Sequence, residues 1–531
     1  MNPIGAWLLA SLVIGSTWFT LSLYEPDQMS EEARGNTLTI VLIDGLSSSI
    51  FKEELEKGNL PVIKKLIENS LWVENGISSF PTMTGYGFYP FITGEDASKS
   101  GIYGLRWFDK NRSRGQLRNY VGRTNVQMNH DIVAEPKTLF ELAGNAYTAS
   151  VNTYMNRGVK ESVKTGFAHT TAKYEGKTML SYLVNLPFVG RNWIKNHFQH
   201  ETDVTNLALA QLKKNPKVQW ITYASPDAYN HVNGTDSIYQ RLLRHIDHEI
   251  GRLMIEISQP QHKNRALAIL SDHGIQDVYH NMDVCKELSE KTGLKIERGK
   301  SAILYSSDLK AEASSLKDLD AFFVINGNLS SYLYVLGGQT KKTSAAQLEN
   351  LRIHSGQTIN LPKALVEIQG IELCLYWDDH NKEVLILHKT GKAKIASKGH
   401  QLSYTVVEGK DPLGYESDSQ VVSMVNRGFF DEKAWLHATY KSIYPDALYR
   451  FYELMKRDKS GDILITASEG YDMAKDYEAV VSNYKGGHGG ANKQIISVPY
   501  IFYQPGKQAG KIAYMRAEDL GKRFKVYLFG E

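Results

Sequence analysis

Three apolar runs in this sequence lead into an aspartate: "TLTIVLI" into Asp44, "VQWITYASP" into Asp227 and "RALAILS" into Asp272. Alone, an aspartate after a strand ordinarily caps the next helix or makes a turn. Three histidines change that reading. His231 follows Asp227 by four residues, one turn along the same face of a helix. His273 follows Asp272 directly, and His488 stands among the glycines of "GGHGG", a composition that favours close approach of a ligand or of backbone. Carboxylates and neutral imidazoles together suit zinc or another divalent transition ion. Three of each nearly complete the coordination of two ions, and a pair about 4 Å apart can stabilise both the attacking and the leaving oxygen of a phosphoryl displacement.

That set lacks a nucleophile. "SSFPTMTGYGFYPFITG", Ser78–Gly94, offers hydroxyls at Thr82, Thr84 and Thr93 and carries no charged side chain. A buried hairpin and a binding loop that holds a hydroxyl close to a ligand both fit this composition.

The aspartates converge only if their strands share a sheet, because open α/β sheets bind ligands outside the carboxyl ends of their strands. "TLTIVLID" is a continuous β-branched run of the kind buried on both faces of a parallel sheet. "IFKEELEKGNLPVIKKLIENS" has helical spacing, broken at Gly58–Asn59 and Pro61, and "SIYQRLLRHIDHEIGRLMIEI" is strongly amphipathic. "GDILITASEG" and "ISVPYIFYQPG" add apolar runs near the end. Strand–helix alternation predicts an α/β fold with a mainly parallel central sheet and helices on both faces. Between Asp283 and Thr439 the texture turns to short strands and hairpins, with a turn signal at Asp378–Asn381. The predicted organisation is a core of residues 37–282 and 440–531, interrupted by an α+β insertion over 283–439.

The first 24 residues include "IGAWLLASLVIGSTWFTLSLY", uncharged and about long enough to cross a bilayer. They lack the basic n-region and small-residue cleavage site of a signal peptide. We read an uncleaved single-span anchor with the body extracytoplasmic, periplasmic or at the cell surface; a cleaved signal and a buried helix are the alternatives. The 531-residue chain has a formal net charge of +3, which gives no electrostatic case for a nucleic-acid polymer. Its 42% hydrophobic and 22% charged residues are ordinary for a folded protein. Cys285 and Cys374 have no metal-binding spacing and do not fix the redox compartment.

In order along the chain, "VLIDG", "FPTMT", "ITG", "PDAYNHVNG", "LSDHG" and "GGHGG" resemble the alkaline phosphatase superfamily, and within it the type I phosphodiesterase/nucleotide pyrophosphatase branch. The resemblance spans about residues 37–506. It implies that Asp44, Thr84, Asp272 and His273 bind one metal and Asp227, His231 and His488 the other, with Zn²⁺ the expected ion and Mn²⁺ possible. It makes Thr84, the second threonine of Pro81-Thr82-Met83-Thr84, the nucleophile, with Thr82 as fallback. The implied activity is hydrolysis of phosphate diesters or monoesters, of small molecules or lipids, through a phospho-threonine. A phosphoryl transferase and a non-catalytic metal- and phosphate-binding member are the alternatives, while a sulfatase would need a C/S-x-P-x-R motif that the sequence lacks.

Two departures stand out. The family's F-P-N after the threonine is here Gly85-Tyr86-Gly87, and Leu105 occupies the place of an asparagine that would bind the phosphoryl oxygen. A leucine cannot donate; its neighbour Arg106 could replace it as a charge-assisted donor. Among the other histidines, His245 and His248 read as polar-face or capping residues, His197 and His200 as exposed, and His169 lies in a less periodic stretch. The aromatics Tyr86, Phe88, Tyr89, Tyr103 and Trp107 fit a leaving-group pocket or core packing equally.

Overall fold

All seven residues of Thr37–Ile43 are buried, and their side chains divide between two cores. Leu38, Ile40 and Leu42 face one hydrophobic cluster, Val41 and Ile43 another. That division is why the run shows no polar alternation: both faces of the strand are covered. The computed structural model describes residues 35–110, 116–165, 187–298, 316, 318–337, 341–474 and 484–530.

The strands β1 (Thr37–Ile43), β2 (Leu71–Ile77), β3 (Thr148–Val151), β4 (Glu161–Val163), β5 (Val218–Tyr223), β6 (Arg265–Leu270), β7 (Ser497–Tyr503) and β8 (Gly510–Arg516) form the central sheet. Their order is β8–β2–β7–β6–β1–β5–β3–β4. Neighbours run parallel, except that β7 is antiparallel to β6 and to β2. The chain enters β7 shortly after the "GGHGG" loop, on the carboxyl side of the sheet, so this strand has to run back against the others.

The helices that matter here are α1 (Ser48–Glu56), α2 (Pro61–Ile67), α3 (Tyr89–Thr93), α4 (Pro187–Leu212), α5 (Ser225–Asn233), α6 (Ser237–Ile257), α7 (Ala447–Met455) and α8 (Ala517–Phe529). Phe51, Ile63, Val204 and Leu242 of α1, α2, α4 and α6 pack with Val41 and Ile43. Phe91, Phe451 and Phe524 of α3, α7 and α8 belong to the cluster of Leu38, Ile40 and Leu42. The break between α1 and α2 falls at Gly58–Asn59, as predicted. Among the described residues no helix is long and apolar enough to cross a membrane. The segment 1–24 and His169 lie outside the described residues. Cys285 and Cys374 are both free thiols.

A second, nine-stranded sheet occupies most of the region read as an insertion. It is antiparallel apart from its first pair, Ile296–Arg298 with Ala321–Gly327. One expectation is corrected here. Ile463–Ala467, the apolar run of "GDILITASEG", is not a core strand; it lies inside the second sheet between Ser330–Val335 and Ile371–Asp378. All five of its residues are buried, and a short, fully buried run looks the same at the centre of either kind of sheet.

A buried ionic network ties the two ends of the core together. Arg450 on α7 pairs with Asp96, which follows α3, and with both carboxylate oxygens of Glu518 on α8, at 3.1 and 3.0 Å. It also reaches the carbonyl of Ile77 at the end of β2, at 3.3 Å. Arg516 forms a fork on Asp446 at 2.8 and 2.7 Å. Burial pushes the Asp96 carboxyl up, but Arg450 and the Ser98 donors outweigh it and hold the group below its usual range. Replacing Arg450 by Met should destabilise the fold by about 3–5 kcal/mol, because two carboxylates are left buried without their partner. Urea unfolding checks this; a loss below about 1 kcal/mol would contradict the account.

Candidate active site

Strands β6, β1 and β5 are adjacent and parallel, so their carboxyl ends open on one side of the sheet. Asp44 follows β1 directly, and its N–H donates to Tyr223 O at 3.0 Å. Asp272 lies two residues beyond β6. Asp227 sits not at a strand end but in the first turn of α5, with His231 in its last turn. The helical spacing does what the sequence suggested: His231 Nε2 lies 3.3 Å from Asp227 Oδ2.

The six residues form two triads. Asp44, Asp272 and His273 make one, Asp227, His231 and His488 the other, and within each the ligand atoms lie within 4.8 Å of one another. His273 Nε2 is 3.4 Å from Asp44 and 3.5 Å from Asp272, while His488 Nε2 is 3.8 Å from Asp227. The His273 and His488 rings stack with centroids 3.8 Å apart, which makes the triads neighbours. Every Nδ1 faces a backbone carbonyl: His231 at Gly486 (2.9 Å), His273 at Gly274 (3.1 Å), His488 at Thr82 (2.7 Å). Those contacts place the ring hydrogen on Nδ1 and leave the Nε2 lone pairs directed at the carboxylates.

The carboxylates of this cluster lack partners of their own. Asp44 Oδ1, Asp227 Oδ1 and both oxygens of Asp272 are buried without a hydrogen-bond partner. Burial, then Asp272 and Asp227, push the Asp44 carboxyl far up. Burial and Asp227 push Asp272 up to about 8. Asp227 itself is held low, since His231, His488 and His273 overcome its burial. Burial drives His273 down to about 4, and burial with His273 drives His488 down. Burial lowers His231, but Asp227 outweighs it and pushes that imidazole up. Buried, inward-aimed carboxylate oxygens with imidazole nitrogens beside them fit two divalent ions, and the Asp/His donor set matches zinc.

Thr84 lies at this junction, 8% exposed, with Oγ1 3.0 Å from His273 Nε2. Thr82 has another task. Its hydroxyl donates to Gly490 O and accepts from Gly489 N–H, both at 2.9 Å, while its carbonyl holds His488. It clamps the histidine loop and leaves Thr84 as the hydroxyl at the triads. The loop after Thr84 is pressed onto the site: a Cβ on Gly87 would lie 3.1 Å from Asp272 Cβ, and Gly85 adopts φ +78 against Met128. Tyr86, Phe88, Tyr89, Tyr103 and Trp107 are all buried members of the main core. Leu105 is half-buried against the same core. Arg106 is buried, with Nε donating to Asn119 Oδ1 at 3.3 Å and Nη1 to Ile325 O at 3.5 Å.

Some site residues escaped the sequence reading. Tyr154, half-buried, packs beside the loop after Thr84, its Cβ 3.2 Å from where a Cβ on Gly85 would lie, and its hydroxyl pKa is pushed up by burial and then by Asp44, Asp227 and Asp272. It lies three residues beyond β3, and a carboxyl end next to β5 was the available signal. The tip of the Ala321–Val335 hairpin is another. Leu329 N–H donates to His488 O at 3.0 Å, and Asn328 reaches Asp472 at 3.2 Å, so the second sheet braces the histidine loop. His197 and His200, expected to be exposed, are 1% and 2% exposed. They lie on the face of α4 that packs against α5, and an amphipathic reading of that helix misses them because the buried face is itself polar. His245 and His248 keep structural roles; His245 bonds Phe198 O at 2.9 Å and His248 is exposed.

Proton linkage follows from the carboxylates. Metal binding needs Asp44 and Asp272 ionised, while without a cation their pKa values are raised, so affinity should increase as pH rises toward about 8. Calorimetric titration of Zn²⁺ into metal-stripped protein at neutral pH, in two buffers of different ionisation enthalpy, should show protons released; none released would contradict it.

Comparison with known proteins agrees with this geometry. The family model described as type I phosphodiesterase / nucleotide pyrophosphatase matches residues 38–350. No curated protein sequence matches the chain. Among solved structures, murine ectonucleotide pyrophosphatase/phosphodiesterase 5, an inactive form in complex with AMP, superposes with a TM-score of 0.51 at 12% identity, over 93% of this chain and 95% of that chain. The human protein of the same name gives 0.52 at 11% identity, over 93% and 94%. These likenesses are of fold. The chain belongs to the type I phosphodiesterase/nucleotide pyrophosphatase family of phosphoric ester hydrolases, within the alkaline phosphatase superfamily.

Proposed function

We propose that the chain is a two-metal phosphohydrolase that cleaves phosphate diesters or monoesters of small molecules or lipids, with Thr84 as nucleophile. The observation that carries this reading is the Thr84 hydroxyl, 3.0 Å from His273 where two Asp/His triads meet. Asp44, Thr84, Asp272 and His273 would hold one ion and Asp227, His231 and His488 the other. Bound there, Zn²⁺ or Mn²⁺ would supply Lewis-acid charge to the phosphoryl oxygens and lower the pKa of a hydroxyl or a water.

The protein's own part is placement. The three Nδ1 contacts fix the imidazoles, Thr82 fixes the loop that carries His488, and the buried aromatic core beneath Thr84 fixes its approach. Thr84 Oγ1 attacks phosphorus, the ester oxygen leaves, and water cleaves the phospho-threonine to release phosphate or a phosphomonoester. Arg106, offered by the sequence as a replacement donor beside Leu105, is engaged instead with Asn119 and the Ile325 carbonyl. A nucleotide is one substrate class to try, since the murine relative was determined with AMP. The uncharged segment 1–24 supports a single-span anchor with an extracytoplasmic body, and the near-neutral charge supports small substrates over a nucleic-acid polymer.

Thr84→Ala should lower turnover of bis-(p-nitrophenyl) phosphate and p-nitrophenyl phosphate by on the order of 10³-fold or more. Full activity in Thr84→Ala, or a purified protein without divalent metal, would overturn the reading. Phosphate release that depends on an added acceptor alcohol would instead indicate a transferase.

A further inference from the structure

Helix α5 carries two of the three groups of one triad, yet it has no cap of its own. Ala224 stands at its N-cap position without a side-chain acceptor, and Pro226 brings no N–H. The acceptor comes from another helix: Glu201 of α4, fully buried, takes the Ser225 N–H at 2.7 Å. Its neighbours complete the seat. His200 Nδ1 lies 3.4 Å from Ser225 Oγ and 3.5 Å from Glu201, and its Nε2 lies 2.7 Å from Thr165 Oγ1. The His197 ring meets Tyr229, one turn along α5, edge-on at 5.8 Å.

We propose that Glu201 is a positioning residue for the metal centre: its carboxylate, reaching from α4, sets the first turn of α5 and so the placement of Asp227 and His231. This rests on the two-metal reading of the site. Burying a carboxylate is costly, and here it lies close enough to Asp44 to push that group's pKa up further. A surface serine at the cap position would hold an ordinary helix more cheaply. A cap built on a second helix does something a local cap does not: it fixes α5 against the α4 scaffold, and with it the spacing between Asp227 and the His488 loop. The other triad, on β1 and the segment after β6, makes no hydrogen bond to Glu201 and feels only its charge, through Asp44.

The test uses the full chain stripped of metal and titrated with Zn²⁺ against a chelating dye, with Co²⁺ absorption as a second readout. Asp44→Asn and His488→Ala, one ligand from each triad, assign the two binding steps. Glu201→Ala, which removes the acceptor, and Glu201→Asp, which keeps the charge but falls short, should each weaken the Asp227/His231/His488 step by about 10–100-fold without weakening the other. Glu201→Gln, which keeps an acceptor at the same reach, should restore that step to within about threefold. Should Glu201→Ala fail to fold, the Asp and Gln variants decide. The proposal is overturned if both steps weaken together, if neither changes, or if Asp rescues and Gln does not. A wild-type chain that binds no ion removes the two-metal reading and this inference with it; a wild type with two ions and indifferent Glu201 variants removes the inference alone.

Discussion

Three carboxylates within reach of one another, Asp44 and Asp272 buried and Asp227 partly so, cannot all be ionised without a counter-charge, and the site is organised around that electrostatic demand. Burial and mutual repulsion raise Asp44 and Asp272, and four of the inward oxygens have no protein donor. A structure that needed only stability would replace such a cluster with apolar residues at little cost. Keeping it makes sense where cations complete it.

The fold meets the demand by dividing labour. The adjacent parallel strands β6, β1 and β5 bring Asp44, Asp272 and the start of α5 to one edge of the sheet. The α5 helix then supplies the four-residue spacing that strands cannot, and the glycine loop delivers His488 from the far end of the chain. Holding that loop takes groups from everywhere: Thr82 from the nucleophile segment, Leu329 from the second sheet, and Gln276–Asp277 paired with Gly486–Gly487. The second sheet is thus part of the site's frame.

Much of this was legible in the sequence because its signals are local. The buried run before Asp44, the helical spacing of Asp227 and His231, and a histidine among four glycines each carry their chemistry within a few residues. The division into two triads came from resemblance alone. What stayed hidden depends on long-range pairing. Ile463–Ala467 reads as a core strand until its neighbours are known; Glu201, His197 and His200 look like the polar side of a helix until α5 is laid on them. Gly85-Tyr86-Gly87 reads as a departure from pattern, and only the proximity of Asp272 to Gly87 gives it a steric reason.

The central claim, that the two triads each enclose a cation, is tested most directly by anomalous diffraction at the zinc edge from crystals grown with Zn²⁺. The account predicts two peaks about 4 Å apart, one among Asp44, Asp272 and His273 and one among Asp227, His231 and His488. An absence of peaks at these residues, in crystals that hold zinc elsewhere, would contradict it.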